Sequence, residues 1–321
     1  MNVWYYLLVF LLLWVAEIVY IRIARKRNIL DIPNVRSSHH DGTVRGGGVV
    51  FYVTCLLFFI LNRGVWPWFM LGMTLITVIS FIDDLHSVKP GIRLLVQMLG
   101  LFLVLFQFSV FNLVGWKSFI AVFAAICILN VYNFMDGING MTGLYTLLTL
   151  LTLTYINTFV VWFIPQDIIT FVLLADVVFL FFNFRRQARC FAGDVGAICL
   201  GVITVYFFGR LLQYSGAEIS YMTFLVVYGM DAGFTVLRRL WLKQPVLLPH
   251  RVFIFHLLAN EGGQPHLRVS IIYAALQLLI NIGYFVFPFN KYIYMAFWIV
   301  VLLVAHVSIY RYFDRRYTLV K

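Results

Sequence analysis

Long runs of apolar residues alternate with short polar segments along the whole chain. A helix needs roughly 20 apolar residues to cross the hydrocarbon core of a bilayer. On that measure we count about eleven predicted spans, at 3–21, 46–62, 66–82, 92–109, 118–134, 142–162, 168–184, 195–213, 219–237, 270–287 and 292–310. The first run is interpreted as a span, since no basic residue precedes it as in a signal peptide. The pattern predicts an all-α polytopic membrane protein with a single domain, residues 1–321.

Composition and charge support this class and orient the chain. The 321 residues are 63% hydrophobic and 12% charged, which is far too apolar for a soluble domain. If the N-terminus lies outside, 20 of the 24 Lys and Arg residues fall on the inner side. The inner segments are then the loops 22–45, 83–93, 133–141, 185–194 and 238–268, with the C-terminal tail. The positive-inside rule therefore predicts an outside N-terminus and a cytoplasmic C-terminus, and the net charge of +11 does not indicate nucleic-acid binding.

One polar stretch, 130–143, interrupts the apolar pattern between the fifth and sixth predicted spans. It contains three asparagines, Asp136 and three glycines. Irregular backbone at membrane depth survives where protein buries it or where it lines a wet cavity, and an acid there suggests a functional site. The alternative is a polar turn between helices, with Gly and Asn serving its geometry.

Other acids mark the ends of predicted spans. Asp83 and Asp84 close the third span and Arg93 begins the fourth, while Asp194 opens the eighth within a Gly-Asp-x-Gly sequence. Taken singly, the aspartate pair also fits a solvated loop, and Asp194 fits a helix N-cap. The predicted topology places all these acids and Asp136 at the inner face, so we expect a catalytic cleft there.

Two further inner loops carry cations. Arg45 precedes three glycines, residues 46–48, whose backbone N–H groups could bind phosphate at a helix start or serve close helix packing. The loop 238–268 contains His250, Arg251, His256 and His266, suited to a phosphate or sugar, or to a membrane surface with snorkelling cations. Residues 252–258 of that loop suit a short interfacial helix. Asp231, in the ninth span, is interpreted as structural, pairing with an arginine or another polar group.

The ligand chemistry favours a hard cation. Carboxylate and amide oxygens are present at the predicted cleft, and no Cys/His zinc spacing occurs. Mg²⁺ is commonly held by one or two carboxylates together with substrate phosphates. Arginines nearby suit additional phosphate groups. The residues therefore predict a phosphoryl-transfer site in a membrane enzyme.

Several of these motifs occur in an order that resembles a known family. They are Arg36-Ser37-Ser38-His39 to Arg45-Gly46-Gly47-Gly48, Asp83-Asp84 with Arg93, Asn130-x-x-Asn133-x-x-Asp136-Gly137, Phe191-x-Gly193-Asp194 and His250-Arg251. The set resembles the polyprenyl-phosphate N-acetylhexosamine-1-phosphate transferases (glycosyltransferase family 4). The Arg-Ser-Ser-His loop is more similar to the undecaprenyl-phosphate GlcNAc-1-phosphate transferase branch than to the phospho-N-acetylmuramoyl-pentapeptide transferase branch.

The resemblance implies a role for each motif residue. The implied catalytic acids are Asp83, Asp84 and Asp136, with Asp83 contacting the attacking phosphate. The implied metal ligands are Asn133 and Asp194. The implied substrate-binding residues are Arg93 for the lipid phosphate, Phe191 and Asn139 for uracil, His250 and Arg251 for the diphosphate or sugar, and Arg45 for phosphate.

The resemblance also implies an activity. A UDP-N-acetylhexosamine would donate sugar-1-phosphate to undecaprenyl phosphate or another polyprenyl phosphate, with Mg²⁺ as cofactor and Mn²⁺ as a substitute, and UMP would leave. The product would start a cell-envelope polysaccharide at the cytoplasmic face of the bacterial inner membrane. Two departures are Asn139, where bacterial relatives usually have Asp, and Phe253, where relatives often have a second His. The sugar, with GlcNAc as the default, the pathway and homodimerisation are left open.

Two activities outside this family were weighed. A membrane prenyltransferase also binds Mg²⁺ through aspartates, but it normally has two Asp-rich motifs and this chain has one adjacent pair. A transporter would place acids near the middle of the bilayer in two repeated halves. Here the acids are predicted at the inner surface, and no internal repeat is evident. The transferase is therefore preferred.

Overall fold

A computed structural model describes residues 3–31, 42–110, 116–245, 251–288 and 290–317. The helices are α1 (Val3–Lys26), α2 (Val49–Leu61), α3 (Pro67–Leu85), α4 (Pro90–Gln107), α5 (Trp116–Met135), α6 (Met141–Phe159), α7 (Gln166–Asn183), α8 (Gly193–Tyr214), α9 (Val226–Trp241), α10 (Ile254–His256), α11 (His266–Val286) and α12 (Lys291–Tyr317). A 3-10 helix, Ile219–Leu225, precedes α9, and a π-helical turn, Leu257–Glu261, follows α10. Two short antiparallel strands, β1 (Leu30–Asp31) and β2 (Thr43–Val44), complete the elements.

The helical membrane architecture agrees with the sequence pattern. Among the described residues, nine helical segments are long and apolar enough to cross a bilayer. These are α1, α3, α4, α5, α7, α8, the 3-10 helix joined to α9, α11 and α12. Helix α2, with 13 residues, is shorter than such a span, and the threonine-rich α6 is not among the nine. The polytopic class is supported, while the count of eleven and the orientation stay predictions.

Local chemistry explains several helix ends. Pro67 and Pro90 stand at the first turns of α3 and α4, where the missing N–H has no cost. Helix α1 extends beyond its predicted end and finishes on Arg25 and Lys26, whose charges suit the negative end of the helix dipole. Helix α12 finishes in the same way on arginines.

The three glycines before α2 correct one interpretation of the sequence. They form a turn, and Gly46 adopts a left-handed φ of +80°. The N–H groups of Gly47 and Gly48 donate to the carbonyl oxygens of Phe191 and Ala192, at 2.8 and 3.1 Å. They are therefore engaged in backbone pairing rather than available for phosphate. A Cβ on Gly48 would lie 2.3 Å from the Gly196 Cα, so close packing is what requires glycine there.

Polar groups within the bundle satisfy backbone atoms where the ninth predicted span changes helix type. The Gln277 Oε1 atom accepts from the Val227 N–H at 3.1 Å and from the Tyr145 hydroxyl at 2.8 Å. Its amide nitrogen donates to the Thr223 carbonyl at 3.1 Å. In an apolar surrounding such groups must be paired internally. The 3-10 to α transition at Leu225–Val226 is thereby stabilised from α6 and α11.

The loops that carry the predicted motifs meet at one end of the bundle. Val44 of β2 forms a parallel bridge with Cys190, which joins the segment before α2 to the segment before α8. The Tyr20 hydroxyl of α1 donates to the Arg45 carbonyl at 2.6 Å. Helix α8 is the most enclosed of the candidate spans in the described chain, with 83% of its most apolar stretch buried in the protein. The motif loops are thus assembled around the N-terminal end of the central helix α8.

Candidate active site

The four predicted acids come together at this end of the bundle. Asp83 and Asp84 end α3, Asp136 follows α5, and Asp194 lies in the first turn of α8. Their contacts with one another and with two arginines, described below, define what we call the acid cluster: Asp83, Asp84, Asp136 and Asp194. The convergence predicted from topology is therefore confirmed.

Asp84 is the buried anchor of the acid cluster. Its Oδ1 accepts from the Asp194 N–H at 3.1 Å, and its Oδ2 accepts from the Val195 N–H at 3.0 Å. The Arg45 Nε lies 2.9 Å from Asp84 Oδ1, with the carboxylate side chain 1% exposed and the arginine 37% exposed. Asp84 thus satisfies the open N–H groups at the start of α8, where a negative charge is favoured.

This contact corrects the alternative interpretation of Asp194 as an N-cap. The N-cap of α8 is Ala192, and Asp194 lies within the helix. Its carboxylate instead interacts with the side chain of Asn133, in the last turn of α5, and lies 3.5 Å from the Arg93 Nη1. The two residues implied as metal ligands, Asn133 and Asp194, are therefore neighbours.

Arg93 connects two of the acids. Its Nη1 lies 2.6 Å from Asp83 Oδ2 and 3.5 Å from Asp194 Oδ2. Asp83 also accepts from the Val88 N–H at 2.8 Å, which secures the α3–α4 loop. The Arg93 side chain remains 39% exposed. It can reach a ligand phosphate from this position, although that role stays a prediction.

Asp136 lies in the loop between α5 and α6. The Thr142 hydroxyl donates to its Oδ1 at 2.7 Å. Burial raises the pKa of Asp136 to about 7; the Thr142 hydrogen bond opposes this, the charges of Asp194 and Asp84 add to it, and Arg45 lowers it. Asp136 is therefore expected to change charge near neutral pH, mainly because it is buried.

The electrostatic balance of the acid cluster favours a cation. Four carboxylates face two guanidinium groups, those of Arg45 and Arg93. Within the part of the chain that the structure describes, no three or more His, Cys, Asp or Glu side chains form a closed metal site. Mg²⁺ needs no such cage, because substrate phosphates and water complete its shell. The oxygen donors of Asn133 and Asp194 fit that type of site.

Glycine at position 193 permits the tight arrangement beneath Asp84. Gly193 has a φ of +70°, in the left-handed region that favours glycine. A Cβ there would lie 2.7 Å from Asp84 Oδ2 and 2.8 Å from the Gly46 nitrogen. The motif glycine is thus required by both conformation and space.

Asn139 and Phe191 occupy defined but different surroundings. The buried Asn139 side chain donates to the carbonyls of Arg185 and Arg186 at 2.8 and 3.2 Å, which ties the α5–α6 loop to the α7–α8 loop. Phe191 is partly buried, and its N–H donates to the Val44 carbonyl at 2.8 Å. The amide hydrogens of Asn139 are engaged in protein contacts. Uracil recognition by these two residues stays a prediction.

The last inner loop also reaches the acid cluster. Arg251 precedes α10, whose Phe255 and His256 pack on the turn after Asp136. A Cβ on Gly137 would lie 2.7 Å from His256 Nε2 and 2.8 Å from Phe255 Cε2. The predicted short helix at 252–258 is confirmed in part by α10 and the following π-helical turn. His250 and the Arg36–His39 motif lie outside the described residues.

Two contributors were not singled out from the sequence as site residues. Thr142 bonds to Asp136, and Tyr20 holds the Arg45 backbone. Thr142 lies within the polar stretch, so it was adjacent to a recognised motif. Tyr20 has no such signal, since it belongs to the apolar first helix.

Two comparisons with known proteins bear on this site. Residues 66–211 match the family described as glycosyl transferase family 4, a range that contains the whole acid cluster. Over 315 residues the chain is 23% identical to the probable undecaprenyl-phosphate N-acetylglucosaminyl 1-phosphate transferase of Bacillus subtilis (strain 168). That alignment covers 90% of this chain and 85% of the relative. Both comparisons support the family predicted from the motifs.

Proposed function

From the match of residues 66–211 to glycosyl transferase family 4 and the similarity to the Bacillus subtilis relative, we propose that this protein transfers a sugar-1-phosphate from a UDP-N-acetylhexosamine to a polyprenyl phosphate. UDP-GlcNAc and undecaprenyl phosphate are the default substrates, because the Bacillus subtilis relative bears their names in part. The product would begin a lipid-linked glycan of the cell envelope. The observation that carries the proposal is the convergence of Asp84, Asp136 and Asp194 with two arginines.

In the proposed reaction, a phosphate oxygen of the polyprenyl phosphate attacks the β-phosphorus of the UDP-sugar. A new P–O bond forms there, the bond from that phosphorus to the bridging oxygen breaks, and UMP leaves with the electron pair. The products are a polyprenyl-diphospho-sugar and UMP. A lipid phosphate monoester with a second pKa near 6 is largely dianionic at pH 7, so it needs little activation.

The main obstacle is the repulsion between several phosphates, which positioning and electrostatic stabilisation must overcome. Bound Mg²⁺ would supply charge neutralisation at the diphosphate. Arg93, exposed beside Asp83, would bind the acceptor phosphate, and Asp83 would orient it. Arg251 would contact the donor from the opposite loop, and Asn133 with Asp194 would hold the metal.

The central test is the exchange Asp194→Asn, assayed as UMP release from UDP-GlcNAc with undecaprenyl phosphate and Mg²⁺. We expect turnover to fall at least 100-fold and the apparent Mg²⁺ requirement to rise, as for loss of a metal ligand. Asp167→Asn is a matched control, since Asp167 accepts from the Tyr6 hydroxyl at the far end of α7. Near-normal turnover of the Asp194 variant would remove the metal assignment.

The donor is best identified by screening the purified protein against UDP-N-acetylhexosamines with undecaprenyl phosphate as acceptor. Saturable UMP release with one donor would name the sugar. Replacing the donor by an isoprenyl diphosphate is the control for a prenyltransferase. Absence of UMP release with every donor, in protein that retains its thermal transition, would refute the proposed activity.

A further inference from the structure

The segment between Arg251 and His256 is held from behind by polar residues deep in the bundle. Asp231 of α9 is fully buried, and its Oδ1 accepts from the Ile254 N–H at 3.0 Å. Its Oδ2 accepts from the hydroxyl of Tyr273, on α11, at 2.6 Å. The carboxylate thus joins the first residue of α10 to two long helices.

A second contact holds the same segment two residues earlier. The Tyr310 hydroxyl of α12 donates to the Val252 carbonyl at 2.8 Å and pairs with the Thr235 hydroxyl at 2.6 Å. Thr235 lies one turn after Asp231 on α9, so the two contacts are linked. We call Asp231, Thr235, Tyr273 and Tyr310 the bracket.

The charged neighbours of Asp231 do not explain its presence. Arg238 pairs with Asp314 at 2.7 Å and stacks over the Tyr310 ring, so it is not the partner of Asp231. Of the two predicted kinds of partner, an arginine or another polar group, Asp231 therefore has the second. His306 of α12 is 3.7 Å away through Nε2, and its Nδ1 bonds to the Leu302 carbonyl at 2.7 Å. A buried carboxylate is costly in an apolar bundle. Its hydrogen bond to the Ile254 N–H of the loop indicates a positioning role.

The loop that the bracket holds carries two residues of the candidate site, Arg251 and His256. His256 and its neighbour Phe255 follow Ile254 directly and pack on Gly137, next to Asp136. Arg251 lies directly before Val252. A shift of the 252–254 backbone would therefore displace Arg251 on one side and His256 on the other.

We propose that Asp231 and Tyr310 are positioning residues for sugar-nucleotide binding, acting through Arg251 and His256. This inference rests on the proposed transferase function. The bracket makes no contact with Asp83 or Arg93 among the interactions described, so the acceptor side of the site should be unaffected. A role in general stability would instead alter both substrates alike.

The kinetic test compares Tyr310→Phe and Asp231→Ala with the parent protein. Tyr310→Phe removes the donor to the Val252 carbonyl, and Asp231→Ala removes the acceptor of the Ile254 N–H. We expect the KM for UDP-GlcNAc, the donor probe, to rise roughly 3- to 10-fold, the range for one lost hydrogen bond, with the KM for undecaprenyl phosphate unchanged. Tyr312→Phe is the matched control, because the exposed Tyr312 hydroxyl on the same helix accepts from Arg316.

A double-mutant cycle tests whether the bracket acts through Arg251. In an Arg251→Ala background, Tyr310→Phe should add less than twofold to the donor KM. A full additional effect there, or an equal rise in the KM of both substrates, would overturn the positioning role.

Hydrogen–deuterium exchange separates this inference from the proposed function. The Ile254 amide should exchange about tenfold faster in Asp231→Ala than in the parent, while peptides of α3 and α8 keep their rates. Unchanged exchange would refute the bracket even in an active transferase. If no UDP-sugar releases UMP, the proposed function fails, and the exchange result still decides whether the bracket holds the loop.

Discussion

The hydrogen bond from Thr142 to Asp136 offers a direct test of the charge state of the acid cluster. The Thr142 hydroxyl donates to Asp136 Oδ1 at 2.7 Å. Thr142→Val keeps the branched shape and removes the donor. Because the bond favours the ionised carboxylate, its loss should raise the pKa of Asp136 further above its value of about 7.

The size of this shift follows from the strength of the bond. A hydrogen bond to a charged group contributes about 1.5–3 kcal/mol, and one pKa unit corresponds to about 1.4 kcal/mol. Asp136 is partly exposed, so water replaces some of the lost interaction, and we expect a rise of about one unit. At pH 7 the ionised fraction of Asp136 would then fall from about one half to about one tenth.

The assay is kcat/KM for UMP release between about pH 5.5 and 9, at one fixed Mg²⁺ concentration. If catalysis requires ionised Asp136, the rate rises with pH, and the variant should show this rise about one unit higher. Its activity should approach that of the parent at the alkaline end. Thr146→Val, one turn further along α6 and beside the Tyr132 hydroxyl, is the control.

Two results would refute this reasoning. If the acidic limb of the Thr142→Val profile coincides with that of the parent, Asp136 does not govern the limb. If the rate is reduced equally at every pH, Thr142 supports the loop structure rather than the ionisation of Asp136.

Three further predictions concern the same end of the bundle. Asp84→Asn should lower the free energy of unfolding by about 2–3 kcal/mol, seen as a lower thermal midpoint in detergent, because a buried acceptor of two backbone N–H groups becomes partly a donor. Gly137→Ala should raise the donor KM at least tenfold, since its methyl group would lie 2.7 Å from His256 Nε2; an unchanged KM would contradict this packing. Burial raises the pKa of the Cys190 thiol, so iodoacetamide should modify it only after denaturation, as peptide mass analysis would show; modification of Cys190 in the folded protein would contradict this burial.

The sequence was most informative about elements whose pattern is long and uniform. Every predicted span overlaps a helix in the described chain, since apolar length is a strong signal for membrane helices. It was least informative at helix ends. The second span was predicted to start at residue 46, whereas α2 begins at Val49. The backbone N–H groups of Gly47 and Gly48 pair with a distant loop, and this pairing competes with helix formation. Such long-range backbone pairs leave no local pattern.

The candidate site was predictable in membership but not in contacts. Topology alone placed Asp83, Asp136 and Asp194 on one face, because each lies at the end of its span that is predicted to face the same side of the membrane. It could not assign partners, since those depend on how α3, α5 and α8 pack. Arg93, expected to bind a lipid phosphate, is seen to pair with Asp83 at 2.6 Å. A substrate phosphate would therefore have to compete with, or join, an existing ion pair.

The contact between Asp84 and the start of α8 shows why one sequence motif has two different physical tasks. From the sequence, a cap of α8 was the alternative interpretation of Asp194, because the residue stands beside the first turn. In the structure Asp84 supplies that negative charge from α3, accepting from the Asp194 and Val195 N–H groups. The Asp194 carboxylate is consequently directed to Asn133 and Arg93 instead of to its own helix. The two aspartates of α3 therefore have different roles. Asp84 fixes the start of α8, which presents Asp194, and Asp83 binds Arg93. Removing the charge at Asp84 should therefore weaken metal-dependent activity by displacing Asp194, even though Asp84 itself is buried and faces protein atoms.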